Sequence, residues 1–354
     1  MKKILPIEKN VLISSECWTF YKFSVMQTTT NFNVWLASHM KIYMDQNCNT
    51  IFGENGTMYP LSYYGGILDV LDGHIMSIDK NDIINYLMRK INEGKYIIID
   101  LNYPRMCGVE EVFWLHETLI YGYDDESCEF VTQLLTEGGF REYRISFKML
   151  KAAFADTIRY YNEDRMRLVN RRMWFYGVTC IKPNADYHNS NAVFDFINKL
   201  KFEIQGNVYK KYKIFDGKET EEYSYATGIT CLLYLASYVN KIINDEKCSA
   251  DMIKKCGKSC MKIYENHNII KKTLEWTVST QNCSNKHLEQ LVCEYESNCE
   301  VLLINVRRFY KYQQNNNKIL LIKIIDDLKV LYSKEKNQLK EIIEEIINLY
   351  SLNL

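Results

Sequence analysis

Apolar positions recur along this 354-residue chain with two different periods. Phe32, Trp35, Leu36, Met40, Tyr43 and Met44 follow the i, i+3, i+4 spacing of a helix face. Asp82 to Ile91 repeats that spacing, with Asn81 or Asp79 as N-cap and Gly94 beyond the end. Tyr96–Leu101 (YIIIDL) is a short run rich in β-branched residues and predicts a buried strand. His116–Tyr121 and Cys128–Gln133 predict two more strands, joined by a polar turn through Asp124, Asp125, Glu126 and Ser127. Ser146–Phe154 predicts a helix capped by its serine. Further on, helices are expected over Ala192–Ile204, Tyr223–Ile243, Ala250–Tyr264, His267–Val278, His287–Tyr312 and Lys318–Leu349. The last is strongly amphipathic and needs a partner, its own bundle or a second copy of the chain in a homodimer.

The punctuation residues divide the chain. All four prolines and eleven of the fifteen glycines lie at or before Pro183. Turn-rich sequence followed by proline-free sequence predicts a mixed domain over 1–185 and an all-α helical domain over 186–354, hence an α+β fold. The helical part would serve docking, a lid or oligomerisation.

Composition narrows the function. Hydrophobic residues make up 47% and charged residues 25%, enough for an ordinary core. Lys+Arg and Asp+Glu both number 44, so the basic excess of a nucleic-acid binder or a polybasic membrane anchor is missing. The start, MKKILPIEKN, has no apolar stretch of the ~7–15 residues that a secretion signal needs. Tyr223–Asn240, the longest uncharged run, carries too many polar residues to span a membrane. A cytoplasmic protein with free thiols is expected, despite its 12 Cys.

A cysteine nucleophile needs a base within hydrogen-bond reach and a group that orients the base. Of six histidines, His116 stands out: it opens a predicted strand in FWLHETLIYGYDD, where the sheet would fix its ring. Cys17, in LISSECWTFYKF, precedes a predicted helix, whose dipole and first N–H groups would favour its thiolate. If Tyr123 pairs with Cys128, Gln133 faces Thr118 and lies diagonal to His116, about 7–8 Å away on one sheet face. Its amide oxygen would then hold the ring, unless a one-residue bulge turns it to the other face. Asp124 and Asp125 lie some eight residues along the strand, roughly 26 Å away, and are excluded. Structural roles compete: a strand histidine, a small buried thiol, an ordinary strand glutamine.

In the second half Cys256/Cys260 and Cys283/His287 are each four apart, a spacing that can bind zinc. No CxxC turn accompanies them, so free core thiols and no metal are expected. No Walker loop, GxGxxG or HExxH is present, so no nucleotide cofactor is expected.

The order of these pieces resembles a known family. A Cys–aromatic pair near residue 20, an apolar helix around Trp35, GKYIIID, HETLIYGYDDESCEFV and ISFKMLKAAF follow one another over residues 10–155. This resembles the peptidase C39-like branch of the papain-like cysteine proteases. Within it, the layout is similar to the butirosin-type acyltransferases of nonribosomal peptide clusters and transacylases of the closthioamide type. The resemblance implies a papain-like catalytic domain with Cys17 as nucleophile and His116 as base. The family's usual Asp in a V-x-D element is Gln133 here, in Val131-Thr132-Gln133. Asn10 is the candidate for the oxyanion contact, and Asp100 for attraction of an amine acceptor. The implied activity moves an acyl or peptidyl group from the phosphopantetheine arm of a carrier protein, through a thioacyl-enzyme, to a small amine. Hydrolysis by a peptidase or thioesterase, and a non-catalytic binding protein on the same fold, remain the alternatives.

Overall fold

The computed structural model describes residues 1–54, 57–58, 64, 66–109, 112–136, 139–163, 177–206, 209–215, 218–244, 249–280 and 285–351. In chain order the first elements are β1 (Lys2–Ile4), α1 (Cys17–Met26), α2 (Phe32–Leu36), β2 (Lys41–Asp45), β3 (Thr50–Glu54), β4 (Thr57–Met58) and β5 (Leu68–His74). Then come α3 (Ile83–Asn92), β6 (Tyr96–Asn102), α4 (Tyr103–Met106), β7 (Leu115–Asp124), β8 (Glu129–Thr136), β9 (Gly139–Ser146), α5 (Phe147–Glu163) and β10 (Gly177–Pro183). The remainder is α6 (Ala192–Gln205), β11 (Tyr209–Phe215), β12 (Lys218–Thr227), α7 (Thr230–Asn244), α8 (Ala250–Ser279), α9 (Lys286–Asn315) and α10 (Lys318–Ser351). The fold is α+β. Among the described residues no helix is long and apolar enough to cross a membrane.

Two compact units emerge. One comprises Met1–Phe32 and Pro60–Tyr187, the other Asn33–Tyr59 and His188–Leu354. The break at Tyr187/His188 falls where the prolines run out, but Asn33–Tyr59 belongs to the second unit.

The first unit is built on an antiparallel sheet ordered β5-β10-β6-β7-β8-β9, with β1 added on β7. One face is covered by α3 and α5, through Leu87 and Ile91, and Leu150 and Phe154, packed with Ile97, Ile99, Ile120 and Leu134. Apolar residues every third or fourth position along α3 make that stripe, and Gly94, at φ 76°, turns the chain back into β6. The opposite face takes α1: Phe20 stacks on Phe140 of β9 with ring centroids 3.6 Å apart.

The second unit is not all-helical. It carries a five-stranded sheet, β11-β12-β2-β3-β4. Two expected helices lose residues to it. The run Phe32–Met44 breaks after Leu36: Met40 adopts a left-handed φ of 65°, and Lys41–Asp45 becomes a strand paired with β3. A run buried on both faces satisfies helical spacing and strand burial alike. The expected helix from Tyr223 begins only at Thr230, because β12 extends to Thr227. Gly228, at φ 54°, makes the corner, and a Cβ there would lie 2.4 Å from the Glu203 carbonyl oxygen. Conversely, the two helices expected over 250–278 are one, α8.

Helices α6, α8, α9 and α10 enclose a buried polar cluster. His267 Nδ1 donates to the Ile263 carbonyl at 2.8 Å, and Nε2 lies 2.9 Å from Glu335 Oε2. The ring stacks on Tyr295 at 5.8 Å between centroids. Asn266 Nδ2 donates to Glu203 at 3.3 Å, and Lys199 Nζ donates to the Leu36 and His39 carbonyls at 3.1 and 2.5 Å. Burial pushes the Glu203 carboxyl up to about 7 and the Lys199 ammonium down to about 7, each partly opposed by the other's charge. Burial alone would lower His267, but the Glu335 carboxylate outweighs it and holds the imidazole above its ordinary value.

Candidate active site

Cys17 is the first residue of α1. Glu16 before it is extended, at φ −136° and ψ 119°, and its carbonyl accepts the N–H of Phe20 to open the helix. Thr19 Oγ1 donates to the Glu16 carboxylate at 2.9 Å, which fixes the first turn. The thiol therefore stands at the positive end of a ten-residue helix.

His116 is the second residue of β7 and only 9% exposed. Its Nε2 lies 3.5 Å from Cys17 Sγ, although 98 residues separate the two in sequence. Its Nδ1 lies 2.8 Å from the carbonyl oxygen of Glu117. A carbonyl can only accept, so Nδ1 carries the proton. In the neutral ring the Nε2 lone pair is then left for the thiol proton. Tyr103 and Trp114 flank the ring edge to face, at 6.1 and 5.2 Å between centroids.

Gln133 does not hold this ring. The turn is longer than expected, so Tyr123 pairs with Phe130 rather than Cys128, and a bulge between Ile120 and Gly122 then shifts the register by one. Gln133 faces Leu119. Residue 119 is three positions from 116 on an uninterrupted stretch of β7, so Gln133 and His116 point to opposite faces. Gln133 is buried, and its Oε1 has no hydrogen-bond partner among the described residues.

Asn10 is also misplaced for its expected role. Its carbonyl accepts from Gln27 Nε2 at 3.3 Å, and Gln27 caps the far end of α1. At 1.5 Å per residue the helix holds Asn10 about 15 Å from the Cys17 end. Asp100 pairs with Glu117 across β6 and β7, is fully buried, and accepts the hydroxyl proton of Tyr161. A small amine in solvent has no access to it, so Asp100 is a structural carboxylate of the sheet. Asp124 lies at the distant end of β7, paired with Lys2 at 3.4 Å.

The residue that sequence reasoning missed is Tyr21. It lies one turn beyond Cys17 on α1 and is fully buried, and its hydroxyl donates to the Glu117 carbonyl at 2.9 Å. Burial, and then the Cys17 thiol beside it, raise its pKa well above the ordinary value. The i, i+4 spacing from Cys17 was the available signal. A backbone carbonyl leaves no such trace in sequence.

The zinc-spaced residues that the structure describes are not gathered. Cys256 and Cys260 are buried in α8, His287 Nε2 lies 3.0 Å from Glu341, and Cys283 is outside the described residues. Among the described residues no group of three or more His, Cys, Asp or Glu side chains is placed to hold a metal ion. In comparisons with known proteins, no family model matches this chain, and no curated protein matches it either.

Proposed function

We propose that this chain is a cysteine-dependent acyltransferase on a papain-like catalytic unit. It would take an acyl or peptidyl group from a thioester and pass it to an amine. The observation that carries the reading is the 3.5 Å approach of Cys17 Sγ, at a helix N-terminus, to His116 Nε2.

His116 Nε2 takes the thiol proton as Sγ attacks the thioester carbonyl carbon. The C=O electron pair moves to oxygen, and the N-terminal end of α1 supports the oxyanion. Collapse re-forms the carbonyl and expels the donor thiolate, which takes the proton back from Nε2. A neutral amine then attacks the thioacyl-enzyme and gives its proton to Nε2. Collapse now breaks the C–S bond, releases the amide and restores the Cys17 thiol. Thioester exchange is nearly balanced and aminolysis runs downhill, so no nucleotide is needed. A phosphopantetheine arm on a carrier protein is the donor that the family resemblance favours.

The test is mass spectrometry of the protein incubated with an acyl thioester of N-acetylcysteamine. An adduct of acyl mass on Cys17 that is discharged by a primary amine supports the reading. An adduct lost at the same rate with and without amine shifts it to hydrolysis. No adduct on Cys17 overturns it.

A further inference from the structure

The stretch Val112–Trp114 before β7 leaves three large apolar side chains in solvent: Val112 (54% exposed), Phe113 (38%) and Trp114 (52%). No other three consecutive residues among the described ones are all large, apolar and exposed. Exposed apolar surface gathered in one place marks a binding site more often than chance burial failure does. Here the surface is also held in place. Tyr103 N–H donates to the Trp114 carbonyl at 2.8 Å, and Trp114 N–H donates to Asn102 Oδ1 at 3.3 Å. The indole packs against Tyr103 at 5.4 Å between centroids, and Phe113 stacks on Tyr160 at 4.5 Å. The ledge begins at the base itself, since Trp114 touches the His116 ring.

We propose that this ledge is the subsite for the apolar chain of the acyl donor, with Trp114 as its specificity-determining residue. The inference deepens the acyl-transfer reading and rests on it. An acyl carbon bonded to Cys17 Sγ stands beside His116, and the indole flanks that same ring. Covering an aromatic face that water now wets favours a chain of several methylenes over an acetyl group.

The experiment compares acetyl and octanoyl thioesters of N-acetylcysteamine for acylation of Cys17 in the full chain, read as adduct formed per minute by mass spectrometry. Alkylation by chloroacetamide and N-octylchloroacetamide is measured alongside, because it reads the ledge without acyl transfer. The wild type should favour the octyl member of each pair, by on the order of tenfold. Trp114→Ala should collapse both ratios towards one, and Trp114→Phe should give intermediate ratios. The anchoring bonds are made by the main chain, so both variants keep them. Equal ratios in wild type and Trp114→Ala, or a shift in oligomeric state with no change in ratio, overturn the proposal. Acylation without chain preference sinks the ledge and leaves acyl transfer standing. Octyl-selective alkylation with no acylation by either thioester sinks acyl transfer and leaves an apolar subsite.

Discussion

Tyr21 and His116 share one acceptor, the Glu117 carbonyl, at 2.9 and 2.8 Å. Tyr21 rides on the helix that carries Cys17, so this oxygen ties that helix to the His116 ring. Tyr21→Phe removes one hydrogen bond of roughly 0.5–1.5 kcal/mol and frees α1 to shift against β7. Cys17 acylation should slow by about two- to tenfold, with the pH midpoint of alkylation moved. A change in stability alone, with reactivity and pH midpoint untouched, would make Tyr21 merely structural.

The dyad itself should behave asymmetrically. Cys17→Ala should abolish the covalent adduct. His116→Ala should keep the thiol but slow its acylation by roughly 10²–10⁴-fold. Circular dichroism of both variants checks that the fold is intact.

Gln133 should prove dispensable for chemistry. Its Oε1 is buried without a partner, so Gln133→Leu removes an unmet acceptor at similar volume. Unfolding free energy should rise, or fall by less than about 1 kcal/mol, with acylation unchanged. A large loss of rate with stability preserved would put Gln133 back in the site.

Asp100→Asn should weaken the sheet rather than the chemistry of one step. Weakening the buried hydrogen bond to Tyr161 costs about 1–3 kcal/mol. Acylation and amine transfer should decline together, in step with the fraction unfolded. A selective rise in the amine concentration needed for half-maximal transfer would assign Asp100 to the acceptor.

The second unit should show its own pH signature. The Glu203 carboxyl is raised from 4.5 to about 7, so its stabilisation is full below 4.5 and lost as pH climbs to 7. His267, raised above 6.5, acts in the same sense as pH passes its folded value. Lys199 is lowered from 10.5 to about 7, so its stabilisation is full above 10.5 and lost as pH falls to 7. Together they give the cluster its smallest contribution near neutrality. Melting temperatures across pH 5–10 should show this dip, and the double variant Lys199→Met/Glu203→Gln should flatten it.

The sequence disclosed the pair Cys17 and His116 because each sits where an element begins, and beginnings have chemical markers. It also disclosed α3, β6 and α10, whose periods are unbroken. Gln133 failed because its face depends on a bulge at Ile120–Gly122, and one extra residue reverses every side chain beyond it. Asn10 failed because chain proximity to Cys17 said nothing of which end of α1 the preceding loop would lie against. Tyr43–Asp45 and Tyr225–Thr227 failed because, besides their near hairpin partners, they pair with each other from distant parts of the chain. Local pattern carries no record of such pairing.

Because Glu117 offers its main chain to His116, its side chain is irrelevant to that contact. On the acyl-transfer reading, a residue-by-residue alanine scan would register Cys17 and His116 and pass over the third group entirely. Sequence drift at position 117 would be equally silent. Only surgery on the peptide link between Glu117 and Thr118, such as an amide-to-ester exchange that weakens the carbonyl as an acceptor, would expose it.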